Sequence, residues 1–293
     1  MRCRLFNLLK KPSGLMGFLK KSLVRFMGSR SRSLDYLHNR YMQRFFLLIL
    51  FGAVIGPIAW AESDDMQVIR GFSIDRREVS VAQFARYVQA TGIVTSAEKA
   101  GGGSTYEGGW VQRKGWTWRA PYGLPANDKE PAVHITFHEA KAFCQWAGKR
   151  LPSDAEWTEA AYTERRADAP AGFVNGTRYP FPTGDSPHGA HCLGDCGSIT
   201  TLSAYSESSV TSRGRGHVLT GSSRKGVNGL WDMGGNVWEW TDDGKSAKSD
   251  TDRPTRGGSW WYGSAQMHRD HLQTKPASTA VVYIGFRCLR SMP

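Results

Sequence analysis

Sustained helical periodicity occurs only three times between residues 62 and 293, and each run is short. A chain with so few long elements has to wrap its core largely in turns and irregular segments. Composition suits such wrapping, since 28 of the 33 glycines and ten of the 11 tryptophans lie in this stretch, the former for turns and the latter for burial. Ser80 is placed to cap a helix over 81–90, in which Val81, Phe84, Ala85 and Val88 recur at i, i+3, i+4 and i+7 before Gly92 stops it. Thr136 and Glu139 form a capping box ahead of Ala140, Phe143, Cys144 and Ala147, with Gly148 at the end. Ser153 and Glu156 repeat the box after Pro152 and start a helix that presents Trp157, Ala160 and Ala161. Trp146 and Trp157, on either side of the connector between these helices, are expected to bury large areas. Short strands are expected at 66–74, 133–135, 237–240 and 283–289. Residues 101–131 and 166–228 keep no period, and Gly101 to Ser104 reads as a flexible turn. The predicted class is α+β, one irregular domain over 62–293.

Residues 1–61 differ in character. They carry 11 of the 38 basic residues and one of the 26 acidic ones, so the rest of the chain is close to neutral. That distribution gives the domain no basic surface for nucleic acid. Residues 45–61 read FFLLILFGAVIGPIAWA after Arg44 and close on Ala59-Trp60-Ala61, the pattern of a secretory signal cut after Ala61. The expected mature chain starts near Glu62 and is periplasmic or secreted, with Met42 as a compact start for the signal. The competing reading is a membrane anchor over 45–61, which at 17 residues is at the short limit for a span. Membrane contact is expected only through that leader, if it is retained, and the domain is expected to be a monomer.

Export agrees with the cysteines. Cys3 leaves with the leader, and Cys144, Cys192, Cys196 and Cys288 form an even set that permits three pairings. No second close pair of Cys or His completes a zinc set around Cys192 and Cys196, so disulfide use is preferred to a metal there.

Four segments occur in order: IDRREVSVAQFARYV (74–88), FCQWAGKRLPSDAEW (143–157), GLWDMGGNVWEW (229–240), and RGGSWW (256–261) closing with GFRC (285–288). Together they resemble the formylglycine-generating enzyme family, also called the sulfatase-modifying factor family. Its bacterial branch also includes ergothioneine sulfoxide synthases and a pyoverdine-maturation protein. The resemblance spans residues 66–290 and implies that family's irregular fold, which is related to the C-type lectins. It implies that Cys144 pairs with Cys288, leaving Cys192 with Cys196. It also implies a structural calcium site made of the Asp232 side chain, the Gly235 and Val237 carbonyls and Glu239, a hard oxygen set. Asp232 stands where the family has Asn. The alternative reading makes Glu239, between Trp238 and Trp240, half of a buried ion pair.

Members of the family oxidise a substrate Cys with O₂ at a copper(I) ion held by two Cys thiolates just after RGGS. Those two positions are Tyr262 and Met267 here. Soft thiolates suit copper(I), and neither a phenol nor a thioether replaces them, so thiolate-copper oxidation is not expected. Ser259 matches the active-site Ser of the family, and Arg269 matches an Arg. The candidate catalytic set is therefore Ser259, Tyr262, Met267 and Arg269, with Trp260, Trp261 and His268 as client-binding residues. Met267, His268 and His271 offer a thioether and two imidazoles to copper or iron, although packing and hydrogen bonding explain them more simply. The sulfoxide synthases draw their iron ligands from an additional N-terminal helical domain for which this chain has no room. There is no phosphate loop, GxSxG elbow or HExxH motif. Two functions follow: an exported oxidative-maturation enzyme acting on a peptide or peptide-derived client, or a non-catalytic peptide- or glycan-binding protein on the same fold.

Overall fold

The capping signals place the helices. In a computed structural model, which describes residues 65–197, 216–242, 244 and 251–292, α1 (Val81–Thr91) starts at Ser80 with a reciprocal Ser80/Gln83 box and stops at Gly92, φ 69°. The apolar run 45–61 and the expected cut lie outside the described residues. Thr95 and Glu98 cap α2 (Ser96–Lys99), a four-residue turn too short to leave a period in the sequence. Thr136 with Glu139 opens α3 (Phe137–Trp146), and Ser153 with Glu156 opens α4 (Asp154–Tyr162), as expected. Arg150 grips Glu156 through two bonds of 2.7 Å, which pull its carboxyl down to about 2 and tie the connector to the start of α4.

The strands are β1 (Met66–Val68), β2 (Phe72–Asp75), β3 (Ser104–Tyr106), β4 (Trp110–Gln112), β5 (Trp238–Trp240), β6 (Asp252–Arg256), β7 (Gln273–Pro276), β8 (Ile284–Gly285) and β9 (Leu289–Ser291). They form a β1-β2-β9 sheet, a β3-β4 hairpin and a sheet ordered β7-β6-β5-β8. In the last, Glu239 of β5 lies opposite Arg256 of antiparallel β6 and Gly285 of parallel β8. Several sequence expectations need correction. Residues 66–74 are two strands broken at a turn where Gly71 has φ 71°. Residues 133–135 are buried but do not form a strand, because His134 turns the backbone to φ 58°. Gly102 and Gly103, unlike the open Gly101, are closely packed: a Cβ on Gly102 would stand 1.9 Å from the Arg113 carbonyl oxygen, and one on Gly103 2.1 Å from His134 Nδ1. Trp146 is 44% exposed, while Trp157 is buried.

Phe84 sits at the centre of the larger core, with Trp118, Tyr87 and Phe143 rings at 5.2, 5.5 and 5.7 Å. The same core takes in Trp238, Trp240, Trp260, Trp261 and Tyr283. Both implied disulfides are present: Cys144–Cys288 fastens α3 to the segment entering β9, and Cys192–Cys196 closes a small loop.

Candidate functional site

The RGGS segment leaves β6 through Gly257 (φ 95°) and Gly258 (φ 74°). Side chains are unwelcome at both: a Cβ on Gly257 would lie 2.7 Å from the Met233 carbonyl oxygen, and one on Gly258 3.0 Å from Met267 Cγ. This turn is stitched to the GGN turn by Gly235 N–H donating to Gly257 O at 2.8 Å and Trp260 N–H donating to Asn236 O at 2.9 Å. Two of the family-like motifs thus build one rigid corner.

The candidate residues fall into different environments along it. Ser259 is 1% exposed, and its hydroxyl oxygen accepts from Trp261 N–H at 3.3 Å, a local turn bond. Trp260 and Trp261, expected as client-binding residues, are core residues instead: Trp260 packs edge-on to Trp261 at 5.1 Å, and Trp261 stacks on Tyr283 at 5.7 Å. Tyr262 is half-buried between Trp238 and Tyr283, each at 5.9 Å.

Met267 is fully buried against Ala190, Cys192, Cys196 and Phe181. The His268 ring meets Phe181 at 5.6 Å, and the His271 ring lies on Trp238 at 5.7 Å. Burial, then the nearby Arg256 charge, lowers the His271 pKa. The three groups considered for copper or iron therefore face three different neighbours. Among the described residues, the one cluster of His, Cys and carboxylate groups with metal-like spacing is Cys192, Asp195 and Cys196, whose sulfurs are joined to each other. That loop braces the corner instead: Asp195 accepts from Ser264 N–H at 2.8 Å and from its hydroxyl at 2.5 Å, and Leu193 N–H donates to Tyr262 O at 2.8 Å. The Ser264 bonds hold the Asp195 carboxyl below its usual range.

Behind the corner, Glu239 is fully buried and its oxygens accept from Arg287 at 2.6 and 2.7 Å and from the Trp157 indole at 2.7 Å. The ion pair considered for Glu239 is present, with Arg287 of the GFRC segment as its partner. Asp232 accepts from Gly221 N–H at 2.5 Å and Ser223 N–H at 3.3 Å, and Glu78 accepts from Asn236 at 2.7 Å and Val237 N–H at 3.3 Å. Desolvation pushes the Glu78 carboxyl well up, reinforced by Asp232 and Glu239. Glu78, Asp232 and Glu239 thus share Arg287 as their buried counter-charge, an excess of hard oxygen donors. Both Glu239 oxygens and both Asp232 oxygens already accept hydrogen bonds, so a calcium ion at Asp232, Gly235, Val237 and Glu239 would have to draw Glu239 away from one of its Arg287 bonds.

Arg269 is placed elsewhere. It is half-exposed on a cavity of about 570 Å³ lined by Asp154, Thr158, Glu159, Arg165, Arg178 and Arg256. Sequence reading singles out Arg269 alone of these basic residues. The others come from the loops after α4 and from β6, so no local motif joins them.

A disulfide-braced α+β domain with RGGS and GGN turns locked together, buried Trp side chains around them and a Glu–Arg pair beneath is one well-marked class of fold. The sulfatase-modifying factor enzyme 1-like domain matches residues 55–292, and the chain belongs to this formylglycine-generating enzyme family. It is 29% identical over 262 residues to the formylglycine-generating enzyme of Streptomyces coelicolor, covering 75% of this chain and 78% of that one. It is 27% identical over 265 residues to the inactive C-alpha-formylglycine-generating enzyme 2 of Bos taurus, covering 75% and 77%. The solved structure of PvdO from Pseudomonas aeruginosa shares the fold, with a TM-score of 0.50 and 21% identity over 75% of this chain and 80% of that one.

Proposed function

We propose that this family member works in the periplasm or outside the cell as a monomer that binds and oxidatively modifies a peptide or peptide-derived client without thiolate-held copper. The observation that carries this reading is the pair Tyr262 and Met267: no thiolate stands at either position, and all four cysteines of the described residues are in disulfides. Free thiolate for copper exchange with a substrate Cys is absent from the described corner. Family membership supports a related oxidative or modifying role, and the disulfides together with the 45–61 run support export. Met267, His268 and His271 do not converge, so no step is assigned to copper or iron. Calcium is proposed as a structural ion only.

A non-catalytic peptide- or glycan-binding role is the second reading. The burial of Ser259 favours it, since the one side chain matched to the family's active-site Ser is not presented at the surface. One mass-spectrometric experiment addresses both readings. Protein recovered from the exported fraction should have the intact mass of a chain starting near Glu62. With added copper it should leave a sulfatase-type Cys peptide unchanged, while the native client gains an oxidative mass change. Aldehyde formation on the Cys peptide would overturn the copper-free assignment. A client bound but never altered in mass would establish the binding reading, and residues 45–61 retained in a membrane fraction would replace export by anchoring.

A further inference from the structure

The cavity beside α4 carries more positive charge than it uses. Of the four arginines on it, Arg256 is held by Asp154 through bonds of 2.6 and 2.8 Å, and Arg165 is paired with Glu159. The Arg178 side chain has no partner among the described residues. Arg269 reaches only the Arg178 carbonyl oxygen, at 3.3 Å, and Asp270 at 3.9 Å, the latter 72% exposed. Arg178, which is exposed, therefore has no carboxylate partner among the described residues, and Arg269 has only the exposed Asp270 at 3.9 Å.

Their backbones are nevertheless fixed. Arg178 bridges to Thr163 at the end of α4, Tyr179 N–H donates to Tyr162 O at 2.8 Å, and Arg269 N–H donates to Pro180 O at 3.0 Å. Like charges presented from fixed neighbouring backbone repel one another, and an anion bound between them relieves that repulsion.

We propose that this cavity is a carboxylate-binding subsite that takes an acidic side chain of a peptide, with Arg178 and Arg269 as the paired donors. Guanidinium forks match carboxylates in two parallel bonds, and the net charge of the lining selects against basic or neutral peptides. Arg256 lies three residues before Ser259, so the subsite borders the strand that leads into the same corner. The inference deepens the peptide-client reading above and rests on it for its biological sense, but its test is an equilibrium measurement that needs no turnover.

Calorimetric titration of the purified full-length exported protein with acetylated tetraglutamate, tetraglutamine and inorganic phosphate provides that test. Tetraglutamate should bind and tetraglutamine should not. Binding should weaken at least tenfold in Arg178→Gln/Arg269→Gln, with a melting temperature close to that of the parent protein confirming that the variant folds. Raising salt should weaken the parent protein's affinity more than that of the double variant. Tetraglutamate affinity unchanged in the folded double variant, or phosphate binding without any tetraglutamate binding, would overturn the proposal. Loss of client modification with tetraglutamate binding intact would count against the proposed function alone.

Discussion

His134 compresses three constraints into one side chain: it is fully buried, its backbone is at φ 58°, and its Nδ1 lies so close to Gly103 that no Cβ fits there. Its Nε2 lies 3.0 Å from the Pro121 carbonyl oxygen, which fixes the tautomer with the proton on Nε2. Burial is the main cause that lowers its pKa to about 4. The unfolded chain binds a proton near pH 6.5 that the folded chain refuses until about pH 4, so stability is full above 6.5 and falls as pH drops through that window. The loss is about 1.4 kcal/mol per pH unit, roughly 3 kcal/mol in all. Asn tolerates positive φ and can donate to the same carbonyl without titrating. Urea unfolding of parent and His134→Asn between pH 7 and 4 should show the parent losing about 3 kcal/mol more than the variant; parallel curves would refute the buried neutral imidazole. Sequence reading places a strand here, because Val133 and Ile135 look like any short buried run and nothing local reports a histidine turned to positive φ. The same blindness applies to Trp260 and Trp261, whose pairing with Tyr122 and Tyr283 depends on chain more than twenty residues away.

Elements that announce themselves through local chemistry are legible: the Thr136/Glu139 and Ser153/Glu156 boxes place α3 and α4 without help from the rest of the chain. Strands β6 and β7 are not, since Asp252–Arg256 reads DRPTR and Gln273–Pro276 reads QTKP, and prolines and charges are poor strand signals. The arginine cavity escapes for a related reason, as its lining is gathered from residues 154 to 269 across α4, its following loops and β6. The turn leading into β5 is half legible: its oxygen donors can be named from the sequence, but Arg287 as the partner of Glu239 cannot. If calcium is the structural ion proposed here, drawn by three buried carboxyl groups beside one guanidinium, chelation should lower the melting temperature of the purified protein. Glu239→Gln should lower it as well and abolish the further effect of chelator, whereas Asp232→Asn, which keeps an oxygen donor, should remain chelator-sensitive. A melting temperature indifferent to chelator would leave the ion pair as the full account of Glu239.

At the scale of the whole domain, the described residues form few long elements, and closure falls to the domain's first and last strands. β2 pairs with β9, Asp75 N–H donates to Cys288 O at 2.9 Å, and Cys288 N–H donates back to Asp75 Oδ2 at 3.0 Å. The Cys144–Cys288 disulfide lies on this seam and closes a separation of 144 residues that contains α4 and β5 to β8. In the chain-entropy account such a loop removes about 5 kcal/mol of disorder from the unfolded state, comparable with the whole stability of many domains at about 5–15 kcal/mol. Cys192–Cys196, with a separation of 4, constrains the unfolded chain far less, by about 2 kcal/mol on the same scale. Its contribution is local: it holds Asp195 against Ser264 and Leu193 against Tyr262. Denaturant unfolding of the two double alanine variants separates these roles. Cys144→Ala/Cys288→Ala should lose about 5 kcal/mol and stand at the edge of folding, while Cys192→Ala/Cys196→Ala should lose about 2 kcal/mol. In the second variant, amide exchange should rise at Leu193 and Ser264 but stay slow in α1 and α3. Equal losses in the two variants, or exchange rising throughout the core on loss of the small loop, would show that the 192–196 loop supports the whole domain and not only the corner beside Tyr262.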